Sequence, residues 1–246
     1  VSMAVMRVLE AEGGFKLEEH VKFVAGHSLG EYSALTAAGA LSVADCARAL
    51  KIRGQAMQAA VPVGEGAMAA ILGLDIETAT QVAQEAAGDD VCAPANDNAV
   101  GQLVLSGSVA AIERAVEIAK EKGAKKAMML QVSAPFHCPL MQPAADRMAE
   151  ALSAITITAP VVPLIANVTA DLVEEPEEIR DLLVKQVTGM VRWRESVLAL
   201  RDKGAKRLLE VGSGKVLTTM LKRIDKEVQG DPVGTPEQID AFLKSL

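Results

Sequence analysis

Ser28 stands in the run Gly26-His27-Ser28-Leu29-Gly30, a G-x-S-x-G pattern, with the apolar residues Val21, Phe23, Val24 and Ala25 before it and an Ala/Leu-rich segment over 32–38 after it. A serine on a sharp strand-to-helix turn is a nucleophile elbow: small residues let the chain turn tightly while the hydroxyl is held out at a helix N-terminus. The amide of Leu29, at the same terminus, points where an oxyanion would form in acyl transfer. The same residues also read as a glycine-rich turn with an incidental serine, and the strand-before, helix-after context favours the nucleophile.

A hydroxyl attacks well only if a base takes its proton, and His20, His27 and His137 are the three imidazoles available. His27 neighbours Ser28 and would point away from it at such a turn, and His20 lies on what reads as a polar surface. His137 remains, in Ser133-Ala134-Pro135-Phe136-His137-Cys138-Pro139, a loop stiffened by two prolines; on these residues alone it reads as a packed loop histidine as well as a base. A carboxylate on the substrate would call for a guanidinium, which binds it bidentately. Arg48, Lys51 and Arg53 are candidates that spacing does not separate.

The elements that must position these groups follow from periodicity. Residues 3–12 read as the tail of an amphipathic helix, 20–25 as a buried strand, 32–38 as a helix, and 42–60 as a second helix with Ser42 as its N-cap. From Gly66 the order becomes strand 67–72, helix 76–87, strand 91–95, strand 102–106, helix 109–122 and strand 125–132. That βαββαβ order is the ferredoxin-like signature. The expected fold class is α/β: a hydrolase-like parallel-sheet main domain over 1–64 and 134–246, and an inserted ferredoxin-like subdomain over 65–133. The main domain resumes with a helix from Pro135 to 152, a strand over 161–167, helices over 176–187 and 193–203, and a strand over 207–211 ending in Gly212-Ser213-Gly214. A short capped helix within 234–246 ends the chain.

The 246 residues carry 25 Lys plus Arg against 32 Asp plus Glu, a net charge of −7, with half the residues hydrophobic and 2% aromatic. A chain of this length is one domain, or one with an insertion, and buries enough surface to need neither metal nor disulfide. The acidic balance and scarcity of aromatics exclude a typical nucleic-acid binder, while anionic substrates stay open through local basic residues. Cys46, Cys92 and Cys138 are odd in number and widely spaced, which fits a reducing, cytoplasmic location. The longest uncharged stretch, 151–170, holds Pro160 and Pro163 and reads as a helix end, a turn and a strand, so no membrane span is expected. No signal peptide is visible at the start. An organelle matrix stays open because the first residue is Val.

Four blocks, Gly26-His27-Ser28-Leu29-Gly30-Glu31-Tyr32, Arg53-Gly54-Gln55-Ala56-Met57, Ser133-Ala134-Pro135-Phe136-His137 and Glu210-Val211-Gly212-Ser213-Gly214-Lys215-Val216-Leu217, together resemble the malonyl-CoA:acyl carrier protein transacylase family over nearly the whole chain. Arg53, His137 and Gln186 lie 25, 109 and 158 residues after Ser28, spacings that also fit. The resemblance implies that Ser28 forms a malonyl ester and passes the acyl group to the phosphopantetheine thiol of a carrier protein. It further implies that His137 is base and then acid, that Arg53 holds the malonyl carboxylate, and that the backbone carbonyl of Gln186 orients His137 in place of a carboxylate. Leu29 and Phe136 are the residue types that accompany malonyl rather than methylmalonyl in related domains. No cofactor is implied. The partners are malonyl-CoA and acyl carrier protein, with no nucleic acid or membrane, and the enzyme is expected to act as a monomer. Both partners are anionic, so a local positive patch is expected, with Arg192, Arg194, Lys215, Lys222 and Arg223 as candidates.

Two departures stand out. Family members ordinarily begin with a strand and a Gly-Gln-Gly-containing loop that supplies a second oxyanion donor; neither is present, which leads us to expect a missing N-terminal portion and weakened activity. Ser213 replaces a usual proline. Two rivals remain: a serine esterase or thioesterase using the same elbow, and an inactive acyltransferase fragment that only binds a carrier protein. A hydrolase of that kind would place its His near the chain end, and no His follows His137.

Overall fold

The computed structural model describes residues 1–245. The chain opens with α1 (Ser2–Gly13) and a single-turn α2 (Leu17–His20), then β1 (Val24–Ala25), α3 (Leu29–Ala37) and α4 (Val43–Ala59). The Ser42 hydroxyl accepts from the Asp45 amide and caps α4 as expected from sequence. Of the expected strand over 20–25 only Val24–Ala25 is strand, since His20 ends α2 and residues 21–23 are irregular. His20 Nδ1 lies 2.8 Å from the Lys16 carbonyl, to which it donates, and the ring stacks on Phe15 at 4.9 Å, which closes the turn before the strand starts.

Next come β2 (Gly66–Leu72), α5 (Ile76–Ala87), β3 (Cys92–Ala99), β4 (Gln102–Ser108), α6 (Val109–Glu121) and β5 (Lys126–Met129). The four strands form one antiparallel sheet in the order β3-β4-β2-β5. Both helices are amphipathic at period 3.6: Ala79, Val82, Ala83 and Ala86 of α5 and Ile112, Ala115, Val116 and Ala119 of α6 share a core with Ala69, Ile71, Leu103 and Leu105 of the sheet. Small alanines on both helices let them pack closely on the strands. β5 is shorter than the expected 125–132, although the Leu130 amide still bonds Met68 O.

The remainder is a single 3-10 turn (Pro139–Met141), α7 (Gln142–Ser153), β6 (Leu164–Ile165), β7 (Leu172–Val173), α8 (Pro176–Thr188), α9 (Trp193–Asp202), β8 (Arg207–Val211), α10 (Val216–Ile224), β9 (Gln229–Val233) and α11 (Pro236–Leu243). The helix expected from Pro135 starts later because His137 takes a positive φ of 59° and Pro139 has no amide to donate. The strand expected over 161–167 shrinks to two residues, since Pro160 and Pro163 cannot donate to a ladder. Helix α10 and strand β9 were not expected; Pro232 argues against a strand, yet β9 lies at the edge of a two-stranded sheet where proline is tolerated.

Parallel pairing is present in two separate pieces. β1 pairs parallel with β6, which pairs antiparallel with β7, and β8 pairs parallel with β9. The largest core joins α3, α4, α7 and α8 through Tyr32, Leu35, Met57, Met141, Met148, Leu152, Leu183 and Val187, with Leu164 of β6 beneath. It fixes the turn after β1, the inner face of α4, the loop before the 3-10 turn and the last turn of α8 against one another.

Candidate active site

Ser28 occupies the turn between β1 and α3 with φ 50° and ψ −105°, a region that residues with side chains seldom adopt. Gly26 makes this turn possible, since a Cβ there would lie 2.0 Å from the backbone of Gly30. Gly30 itself has open space where a Cβ would go. The steric demand therefore falls on one of the two motif glycines only. Leu29 opens α3, so its amide has no acceptor within the helix and is free to donate. Its side chain is exposed.

The Ser28 hydroxyl lies 2.8 Å from His137 Nε2. His137 Nδ1 lies 2.9 Å from the backbone carbonyl of Gln186. A carbonyl can only accept, so Nδ1 carries the hydrogen and the bare Nε2 faces the serine as an acceptor. His137 is buried, and burial, reinforced by the nearby Arg53 cation, pushes its pKa down to about 4. The imidazole is therefore neutral at physiological pH and ready to take a proton.

Arg53 is the one of the three α4 candidates that turns inward; Arg48 and Lys51 are exposed. It is 6% exposed and donates to the Ser28 hydroxyl at 3.0 Å and to Gln186 Oε1 at 2.9 Å. Its guanidinium lies 5.8 Å from the centre of the Tyr32 ring, its Nε has no partner, and among the described residues no carboxylate pairs with it. A buried cation that no carboxylate bonds directly, with Glu31 reaching it only through Gln186 and through space, is beside this nucleophile a built receptor for a small carboxylate.

The other two histidines sit where sequence reasoning placed them. His20 is exposed beside Lys16, and His27 turns away from Ser28 to bond Asn98 Oδ1 at 2.8 Å and lie against Trp193. Phe136 is half-buried beside His137 and packs on two cores, including Met68, Ala95 and Val104. Of the five candidate docking cations, two are committed elsewhere: Arg192 to Glu195, and Arg194 to the buried Asp97 at 2.7 Å. Lys215, Lys222 and Arg223 are exposed, and among the described residues none pairs with a carboxylate.

Sequence reasoning missed Asn167 and the part played by Glu31. The Ser28 amide donates to Asn167 Oδ1 at 2.7 Å, and Asn167 Nδ2 donates to Gly26 O at 2.7 Å, so one side chain braces both arms of the elbow. Glu31 Oε2 accepts from Gln186 Nε2 at 2.8 Å and from the Asn167 amide at 3.1 Å. Glu31 had a visible signal, a single carboxylate within an otherwise uncharged helical run. Asn167 had none. Among the described residues no cluster of potential metal ligands occurs, and no helix is long and apolar enough to cross a membrane.

The family model for the acyl transferase domain matches residues 1–235. The malonyl CoA-acyl carrier protein transacylase of Escherichia coli strain K12 is 44% identical over 243 residues, 99% of this chain and 77% of that protein. Among solved structures, an acyl-carrier-protein-S-malonyltransferase from Bartonella henselae superimposes with a TM-score of 0.97 at 55% identity, covering 100% of this chain and 78% of that one. A malonyl-transacylase solved in complex with a type II PKS acyl-carrier protein superimposes with a TM-score of 0.95 at 40% identity, covering 100% of this chain and 78% of that one.

Proposed function

The chain belongs to the acyl transferase family, and we propose that it carries a malonyl group from malonyl-CoA to the phosphopantetheine thiol of an acyl carrier protein, feeding fatty acid chain elongation. The observation that carries this reading is the unpaired, buried Arg53 in hydrogen-bond contact with a serine that already faces a neutral histidine. A carboxylate on the acyl group supplies the directly bonded counter-charge that Arg53 lacks, which favours malonyl over acetyl.

In this mechanism the Ser28 hydroxyl attacks the thioester carbon while His137 Nε2 takes its proton. The Leu29 amide donates to the oxyanion of the tetrahedral intermediate. The coenzyme A thiolate leaves and takes the proton from His137. The carrier-protein thiol then gives its proton to His137, attacks the malonyl ester, and Ser28 leaves with that proton restored. Gln186 O holds the imidazole hydrogen at Nδ1 throughout, so Nε2 alone exchanges protons. Arg53 grips the malonyl carboxylate in both half-reactions, releasing its bond to the Ser28 hydroxyl when substrate enters. No cofactor takes part in these steps.

Leu29 and Phe136 flank the nucleophile and the base, and on this reading they leave no room for a methyl branch at the α-carbon. Residues 65–133 form the ferredoxin-like insertion in a main domain over 1–64 and 134–246; the strand order β3-β4-β2-β5 supports this division. Lys215, Lys222 and Arg223 offer the positive surface for the acidic carrier protein, and the enzyme works as a monomer. Three free cysteines fit a cytoplasmic location.

Intact mass after brief exposure to malonyl-CoA tests the central claim. A malonyl-sized adduct on the parent, absent from Ser28→Ala, is the expected result. Release of coenzyme A with no adduct would favour the esterase alternative and overturn the transfer reaction.

A further inference from the structure

Glu31 is 1% exposed, carries no hydrogen bond from a cation, and has no place in the acyl-transfer steps. Two donors converge on its Oε2. One is Gln186 Nε2, whose second hydrogen goes to Ser28 O at 3.0 Å while Gln186 Oε1 accepts from Arg53. The other is the amide of Asn167, the residue that braces Gly26 and Ser28.

The Gln186 amide has two possible orientations. Turned over, it would set its oxygen against the Glu31 carboxyl and the Ser28 carbonyl, and its NH2 against the Arg53 guanidinium. Every contact would then join like with like. Glu31, together with the Ser28 carbonyl and Arg53, therefore fixes which way Gln186 faces, and through it where Arg53 is held. The same oxygen tethers the backbone of the residue that holds the strained serine.

We infer that Glu31 is a positioning residue for this reaction, its Oε2 serving as the shared acceptor that orders Gln186 and Asn167 and thereby sets Arg53 and Ser28. Hydrogen-bond acceptance, rather than charge, is what the site uses. Burial pushes the Glu31 pKa up to about 7, so near neutral pH both forms are populated, and a proton on Oε1 leaves Oε2 able to accept. A glutamine can present the same acceptor, whereas an aspartate draws it back by one methylene and an alanine removes it.

The inference rests on the proposed transfer reaction, and the test separates the two. Parent, Glu31→Gln, Glu31→Asp and Glu31→Ala are compared in two rates, each normalised to the folded fraction from thermal unfolding. One is formation of the malonyl adduct from malonyl-CoA; the other is labelling of Ser28 by a fluorophosphonate, which has no carboxylate to engage Arg53. Glu31→Gln is expected to keep both rates within about threefold, and the Asp and Ala variants to lose about tenfold or more in malonylation, as misplacement of reacting groups by a fraction of an ångström does. Fluorophosphonate labelling should fall less, by about threefold, because Arg53 is not used.

An aspartate variant at parental rate with an impaired glutamine variant would assign the role to charge and overturn the inference. So would parental rates, per folded molecule, in all three. If Glu31→Ala does not fold, the Gln and Asp variants decide alone. A parent labelled by fluorophosphonate yet never malonylated would defeat the transfer reading, and the labelling rates would still judge Glu31.

Discussion

His137 and Glu31 are buried within one hydrogen-bonded network, and burial moves their pKa values in opposite directions because the neutral form is the acid in one and the base in the other. For His137, held near 4 against an ordinary 6.5, kcat/KM for malonylation should stay level as pH falls from 7 to 5, with its acid limb near 4. Arg53→Gln removes the cation that helps depress this value, so the limb should shift upward while the preference for malonyl over acetyl donors is lost; rate profiles with both thioesters check this. The stability signs also differ. The His137 contribution is fully present above 6.5 and is lost as pH falls through about 4. The Glu31 contribution is fully present below 4.5 and is lost as pH rises through about 7. Glu31→Gln should therefore be more stable than the parent at pH 8, by on the order of 2 to 3 kcal/mol, and the difference should vanish near pH 4.5. Denaturant unfolding at the two pH values measures it.

The turn from β1 into α3 asks different things of its two glycines. Gly26→Ala should cost about 3 kcal/mol or more, because a methyl group would meet backbone that cannot retreat. Gly30→Ala meets open space within a helix and should leave stability unchanged or raised by up to about 1 kcal/mol, as thermal unfolding of the pair will show. The pattern that revealed Ser28 is local, and so was readable from a few residues. The hairpin and two helices over 66–129 were readable for the same reason, since their periodicity is strong. Sequence alone could not choose Arg53 over Arg48 and Lys51, because that choice depends on which face of α4 meets α7 and α8. Asn167 lies in the turn just after β6 and meets Gly26, 141 residues earlier in the chain, and no local pattern encodes such a meeting. β9 was hidden by Pro232, whose missing donor matters only if a further strand is to pair there.

Across the whole molecule, the site gathers groups from five places in the chain: the turn after β1 with the start of α3, α4, the loop returning from the antiparallel sheet, the turn after β6, and α8. The antiparallel sheet is held to this assembly by contacts at both ends. Pro135 packs directly on Gly66, while Asn98 bonds His27 and Asp97 pairs with Arg194 on α9. The side chain of Asp97 is buried, and desolvation already strains its ionised form, which Arg194 offsets. Arg194→Met leaves that carboxylate unpartnered and should cost about 3 kcal/mol, measurable by denaturant unfolding.

The bare guanidinium of Arg53 links acylation to melting temperature. Until a substrate carboxylate arrives to serve as a bonded counter-ion, the folded protein keeps a buried cation that no carboxylate touches directly. Once malonylated, it holds that counter-ion by a covalent tether. The malonyl-enzyme should then unfold roughly 5 °C above the unmodified protein, because charge-assisted hydrogen bonds that unfolding breaks have been added to the native state alone. An acetyl-enzyme, lacking the carboxylate, should melt near the unmodified temperature. For the lifetime of the intermediate the acyl group would be a structural part of the protein, and its departure to the carrier would return the protein to its softer resting state.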